Sequence, residues 1–187
     1  MNMRLIIVIG LIAFSAATAN TQSSQPYSVM QTRDVKALSE EQIADLKAGR
    51  GMGLALAAEL NGYPGPKHLL ELADDIGLTG QQREKIRQLF GAMQLEAIPI
   101  GQALITEEAK LDRGFADRSI TEATLKAQVA TISEIQGQLR YTHLKYHLAT
   151  VELLTPEQMQ KYATLRGYLE ASPERNPHSS PMREHQH

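Results

Sequence analysis

The chain contains no cysteine and no tryptophan, and only three phenylalanines among its 187 residues. Without cysteine there can be no disulfide, no thiolate metal site, no cysteine nucleophile and no cysteine for lipid attachment. Strand-forming residues are sparse, aromatics make up 5% of the chain, and Ala, Leu, Gln and Glu dominate, which is a helical composition. A net charge of −2 removes bulk electrostatic attraction to nucleic acid, so no nucleic-acid partner is expected. Catalytic signatures are missing as well. There is no H-E-x-x-H and no nucleophile elbow. Gly49, Gly51 and Gly53 follow no strand and so make no phosphate loop, and Glu107 and Glu108 are neighbours on a helix and point apart. The expectation is a protein that is not an enzyme and requires no cofactor.

What is present begins with an export signal. Arg4 supplies a positive start, Leu5 to Phe14 an apolar run, and Ala17-Thr18-Ala19 a small-x-small cleavage site, which predicts a mature chain from Asn20. The apolar run is well short of the roughly 20 residues that span a bilayer, so after cleavage the protein is not expected to be integral to the membrane. Residues 20–37, with Pro26 and several Ser and Gln, read as a flexible leader. Residues 171–187, with Pro173, Pro177, Pro181 and three histidines, read as a disordered tail. Between them, residues 38–170 suit one helical domain.

Within that domain the pattern Leu-Thr-x-x-Gln occurs twice, as Leu78-Thr79-Gly80-Gln81-Gln82 and Leu154-Thr155-Pro156-Glu157-Gln158, with a near copy at Leu38-Ser39-Glu40-Glu41-Gln42. Each is a helix start: the hydroxyl at N-cap accepts from a free backbone N–H, and the Gln at N3 reaches back to the N-cap N–H. Leu38 can staple onto Ile43 and Leu154 onto Met159, and Pro156 falls at N1, where its missing N–H costs nothing. The motif residues Leu78, Thr79, Gln82, Leu154, Thr155 and Gln158 are therefore read as capping chemistry rather than as a binding site.

The spacing predicts short helices from Ser39 toward Gly49, over Met52–Leu60, and over Lys67–Asp75 with Gly77 as its stop. Ile86, Phe90, Met93, Ala97, Ile100, Leu104 and Leu111 then form a heptad-like seam. Pro99 lies inside it, and because the seam continues in phase a kink is expected rather than a break. After a turn at Gly114–Arg118, Ser119-Ile120-Thr121-Glu122 is a further capping-box candidate. A second long helix follows, with Leu125, Val129, Ile132, Ile135, Leu139, Tyr146, Ala149 and Leu153 on one broad face. The fold class is all-α: a long antiparallel hairpin, each arm roughly 45 Å, with shorter flanking helices. Such a hairpin is thin, so dimerisation into a cradle is expected.

An export signal, all-helical composition, absence of cysteine and paired Leu-Thr-x-x-Gln motifs together resemble the Spy/CpxP family of periplasmic stress proteins, over roughly residues 38–169. That family includes zinc-resistance-associated and CnrX-like heavy-metal-sensor branches. Arg140 to His147, followed by the second motif and Lys161-Tyr162, looks especially like the sensor branch. The resemblance implies a dimeric cradle in the periplasm. On the chaperone branch it would be an ATP-independent holding chaperone for unfolded or partly folded envelope proteins. On the sensor branch it would be a metal sensor that reports to a membrane protein, and an adaptor for a membrane sensor is the third reading.

His143 and His147 are four residues apart, one above the other on a helix face about 6 Å between Cβ atoms. As neutral imidazoles they can chelate Zn(II), Cu(II) or Ni(II). A third ligand has to come from elsewhere, and His68, Glu71, Glu152 and a partner subunit are the candidates. The competing reading is two polar residues beside the seam. The sensor branch also carries histidines early in its mature domain, whereas this chain has none between Asn20 and Lys67. His178, Met182, His185 and His187 in the tail are a weaker metal-capturing set, opposed by ordering entropy. Met52, Met93 and Met159 lie on apolar stripes and are expected to pack in the core. Arg83, Lys85 and Arg87 form a small basic cluster that on the chaperone branch would attract acidic clients.

Overall fold

Capping geometry sets where each of the longer helices begins. In the computed structural model, which describes residues 27–169, helix α1 (Glu40–Lys47) starts at Ser39, α4 (Gly80–Ala116) at Thr79 and α6 (Pro156–Leu165) at Thr155. Each start is a full capping box, as the motif predicts: Thr79 Oγ1 accepts from the Gln82 N–H at 3.2 Å, and Gln82 Oε1 accepts from the Thr79 N–H at 2.9 Å. Helix α5 (Glu122–Val151) departs from expectation. Its N-cap is Thr121, with Thr124 closing the box, and not Ser119 with Glu122. The cause is the end of α4, which continues to Ala116: the N–H groups of Ser119 and Ile120 both turn back to the Gly114 carbonyl. Ser119 is thereby consumed in closing one helix, and Thr121 is left to open the next.

The two long helices form the expected antiparallel hairpin, and α4 runs unbroken through Pro99. Ile86, Met93, Ala97 and Leu104 of the seam are buried, as are Ile132, Leu139 and Tyr146 on the opposite arm. Val129, expected on the inner face of α5, is instead 46% exposed. Tyr146 helps to lock the arms together: its hydroxyl donates to Glu96 Oε1 at 2.7 Å while Lys145 approaches the other oxygen at 2.5 Å. Burial and the Glu96 carboxylate push the Tyr146 phenol up to about 12.

The shorter segments pack along this hairpin and make two apolar clusters. Helix α1 lies against α4 where Gly101 faces the Leu46 carbonyl; a Cβ at 101 would sit 2.5 Å from that oxygen. Around this crossing, Leu38, Leu46, Ala97, Leu104, Ile132 and Leu139 bury one cluster. Val35 joins it at 4% exposure, so packing extends upstream of residue 38. The second cluster, Leu69, Ala73, Ile76, Leu78, Ile86 and Tyr162, lies at the base of the hairpin. Two of the short helices are smaller than their sequence patterns suggest: α2 is Leu56–Glu59 and α3 is Pro66–Glu71, each continued by turns. Gly77, at φ +73°, lets the Leu78 N–H return to the Ala73 carbonyl, which ends the α3 segment as expected.

The two Leu-Thr-x-x-Gln motifs meet at the base. Gln82 Nε2 donates to Gln158 Oε1 at 2.8 Å and to the Leu153 carbonyl at 2.8 Å. Gln158 Nε2 donates in turn to Gln82 Oε1 at 3.1 Å and to the Gly77 carbonyl at 3.2 Å. The pattern is reciprocal: each glutamine caps its own helix and bonds the carbonyl just before the partner motif's leucine. Sequence reasoning found the caps and missed the clasp. The signal segment 1–19 and the tail 171–187 lie outside the described residues. No helix among those described is long and apolar enough to cross a membrane.

Candidate functional site

The last turns of α5 carry His143 and His147 on one face, as their spacing predicts, and that face turns inward. His143 is 2% exposed and His147 7%. They are buried residues, not polar groups beside the seam. Glycine makes the close packing possible on the facing loops. A Cβ at residue 65 would lie 2.8 Å from the His147 ring, and one at residue 51 would lie 3.4 Å from His143 Nδ1. His147 Nδ1 donates to the Tyr63 carbonyl at 2.7 Å. A carbonyl only accepts, so in the neutral ring Nδ1 carries the proton and Nε2 the lone pair.

Beside the histidines, α2 ends in a buried carboxylate that the sequence gave no reason to single out. Glu59 accepts from the hydroxyls of Tyr162 and Tyr168 on one oxygen and from the Gly65 N–H at 3.1 Å on the other. Its Oε1 also lies 3.3 Å from His68 Nδ1 and 3.7 Å from Arg166 Nε, and its Oε2 lies 3.8 Å from His147 Nδ1. Burial pushes the Glu59 carboxyl up. The bonds from Tyr162 and Gly65, the His68 charge and the Tyr168 bond outweigh it and hold the group below the usual carboxylate value. Burial and the same carboxylate raise the Tyr162 phenol. Three stretches of chain, residues 65–68, the end of α5 and residues 162–168, thus converge on one side chain, and the Gly65 N–H and the Tyr162 and Tyr168 hydroxyls donate to it.

His143 is treated differently. Its Nε2 is buried and has no hydrogen-bond partner. A buried polar atom without a partner costs about 1–3 kcal/mol, so its persistence calls for a reason. Burial, and then the nearby His147, lower its pKa, which favours the neutral ring. His143 and His147 lie in the wall of a cleft of about 500 Å³, whose other walls include Arg50, Met52, His68 and Met93. Met93 is buried as expected, whereas Met52 is 40% exposed at φ +44°.

The remaining candidates sort by position. Of the proposed third ligands, His68 lines the cleft. Glu71 pairs with Lys67 on the surface at 3.0 Å, and Glu152 is an exposed C-cap of α5, so neither faces it. Among the described residues no three His, Asp or Glu side chains stand together as a metal-holding group. The donors at hand fit a metal only in part: the imidazoles of His68, His143 and His147 line the cleft without coming together as one group, and no free carboxylate stands beside them. The basic cluster is partly spent: Arg83 bonds the Leu78 carbonyl and Asp74, and Arg87 pairs with Glu84. His178, Met182, His185 and His187 lie outside the described residues.

No curated protein and no solved structure matches the chain. Residues 66–166, from the start of α3 to the end of α6, match the model of the LTXXQ motif family protein. The match includes both clasped motifs and the helix that carries His143 and His147, and it agrees with the resemblance to the Spy/CpxP type. The chain belongs to the LTXXQ motif family.

Proposed function

We propose that this is a periplasmic stress protein of Spy/CpxP type that acts without catalysis, as a metal-binding sensor, through the cleft beside His143 and His147. The observation that carries this reading is the buried, unpartnered Nε2 of His143, on a ring that borders an open cleft together with His147. His147, with its proton held on Nδ1 by Tyr63, offers a second nitrogen in the same wall. Two imidazoles at this spacing suit a late first-row metal. The cleft joins α5 to the α1–α3 segments, so an ion there would couple the hairpin to its flanking helices. Titrating the purified protein with Zn(II), Cu(II) and Ni(II) by calorimetry, beside a His143→Ala/His147→Ala variant, tests it. Binding in the parent and its loss in the variant support the reading; identical isotherms remove these residues from any site.

Holding unfolded envelope proteins is the second reading. It is favoured by large apolar side chains left open on the hairpin arms, with Leu95 78%, Tyr141 66% and Leu148 57% exposed. The same surface would serve a second copy of the chain in a dimeric cradle. Light scattering from an aggregating client, with the protein in several-fold excess, tests the chaperone reading. Unchanged scattering ends it. Sedimentation at several concentrations tests the dimer.

A further inference from the structure

The last helix is attached differently from the long ones. From Thr155 to Leu169 only Tyr162 is buried, whereas α4 and α5 bury side chains over several turns each. The bonds that tie this segment to the rest of the molecule are polar. At its start, Gln158 Nε2 donates to Gln82 Oε1 and to the Gly77 carbonyl, and Gln158 Oε1 accepts from Gln82. Further along, the hydroxyls of Tyr162 and Tyr168 donate to Glu59, and Arg166 Nε lies 3.7 Å from the same carboxylate. Beneath these bonds the Tyr162 ring completes an apolar cluster with Leu69, Ala73, Ile76, Leu78 and Ile86, and Leu153, Leu154 and Tyr168 pack at its edge.

Within itself the segment is cohesive. Arg166 Nε donates to the Tyr168 hydroxyl at 3.2 Å, and the guanidinium lies 5.7 Å from the Tyr168 ring. The rings of Tyr162 and Tyr168 meet edge to face with centroids 6.5 Å apart. Gly167, at φ +71°, turns the chain so that the Tyr168 N–H returns to the Ala163 carbonyl at 2.8 Å. All these contacts join residues of the segment to one another, so they do not depend on its resting on the base.

The two sides of the seam can also stand apart. Without α6, Glu59 keeps the Gly65 N–H at 3.1 Å and His68 at 3.3 Å. Gln82 and Gln158 keep their own capping boxes at Thr79 and Thr155. When the segment lifts as a whole, each lost polar bond is replaced by one to water, so no donor or acceptor is orphaned. A unit with few buried apolar side chains and a polar seam belongs to the part of a fold that opens first.

We propose that α6 and the turn after it, residues 155–169, form a latch that lifts as one body about the Glu152–Leu154 turn while the hairpin stays folded. Its opening uncovers the apolar surface of Leu69, Ala73, Ile76, Leu78 and Ile86. The device goes beyond the metal reading and does not depend on it.

Native-state hydrogen exchange of the full chain, followed by NMR at low urea concentrations, tests the latch. The amides of α6 are expected to exchange together, about tenfold or more faster than those of residues 132–146 in α5, and with a weaker dependence on urea. Gln158→Ala and, separately, Tyr162→Phe are each expected to speed exchange in α6 by about tenfold and to leave residues 132–146 unchanged. Both variants are expected to raise the fluorescence of a dye that binds apolar surface. If α6 exchanges at the rate of the hairpin and with the same urea dependence, it opens only when the whole chain unfolds, and the proposal fails. If protection within α6 instead falls away gradually toward Leu165, the helix frays turn by turn and there is no latch. The parent protein alone decides these two outcomes, so they stand even if a variant does not fold. Faster exchange in the variants without a dye response would overturn the uncovered apolar surface.

Discussion

The hydroxyl of Tyr162, on the last helix, donates to Glu59 Oε1, on the shortest one, across 103 residues of sequence. It is one of the contacts that keep a carboxylate ionised at 5% side-chain exposure. Tyr162→Phe keeps the ring in the basal apolar cluster and deletes only the donor. The expected cost is about 1.5–3 kcal/mol, the range for a hydrogen bond to a buried charged group. Urea denaturation reads it directly, and a change under about 0.5 kcal/mol would show that Tyr168 and Gly65 suffice.

Acid should destabilise the protein in two stages. His143 is depressed below the ordinary imidazole value of 6.5 in the folded state, chiefly by burial. As pH falls below that value the unfolded chain takes up a proton that the native chain refuses, and stability drops with a limiting slope of about 1.4 kcal/mol per pH unit until the folded value is passed. Glu59 is also depressed, so its stabilisation is complete above the ordinary carboxylate value of 4.5 and is lost as pH falls through its folded value. Denaturation midpoints measured from pH 8 to pH 3 should show both stages. His143→Gln should remove the earlier one and leave the later one, and a profile unchanged by that substitution would contradict the burial argument.

The glutamine clasp should behave as one unit. Gln82→Ala or Gln158→Ala removes a capping bond and the reciprocal pair, for about 1–2 kcal/mol each. The double variant should cost less than the sum of the singles, with a coupling of about 0.5 kcal/mol or more. Strict additivity in a double-mutant cycle would mean that the two amides do not act together in solution.

Two glycine substitutions should move in opposite directions. Gly101→Ala puts a methyl 2.5 Å from the Leu46 carbonyl, which is backbone and cannot swing aside. Separating α1 from α4 there should cost about 1–3 kcal/mol. Gly137→Ala, in the middle of α5 with nothing within 4 Å, should instead stabilise by about 0.5–1 kcal/mol, since alanine loses less entropy in a helix. Thermal melts of the pair, run side by side, check both signs.

Features encoded over short stretches were readable from sequence. Ser39, Thr79 and Thr155 are caps because the chemistry of a capping box is complete within four residues. Ile86, Met93, Ala97 and Leu104 of the seam are buried because heptad spacing depends only on helix geometry. Thr121 was missed because two overlapping templates compete at Ser119 and Thr121, and the length of the preceding helix decides between them. Glu59 was illegible for a different reason. On a four-residue helix it looks like any surface acid, and its partners Tyr162 and Tyr168 arrive from the far end of the chain. The inward turn of His143 and His147 was hidden in the same way. Spacing placed them on one face, but only the loops carrying Gly51 and Gly65 show that the face is covered.

The clasp between Gln82 and Gln158 also bears on how the chain closes. It pins two positions 76 residues apart, the kind of long loop that other proteins secure with a covalent cross-link. Closing a loop of that length carries an entropic cost that grows only slowly with length. Here the hairpin between the two positions is itself built from local contacts, so its arms bring the ends together before the amides bond. The closure is non-covalent and, in a chain without cysteine, needs no thiol oxidant. A chain built this way can close the loop without forming a covalent bond.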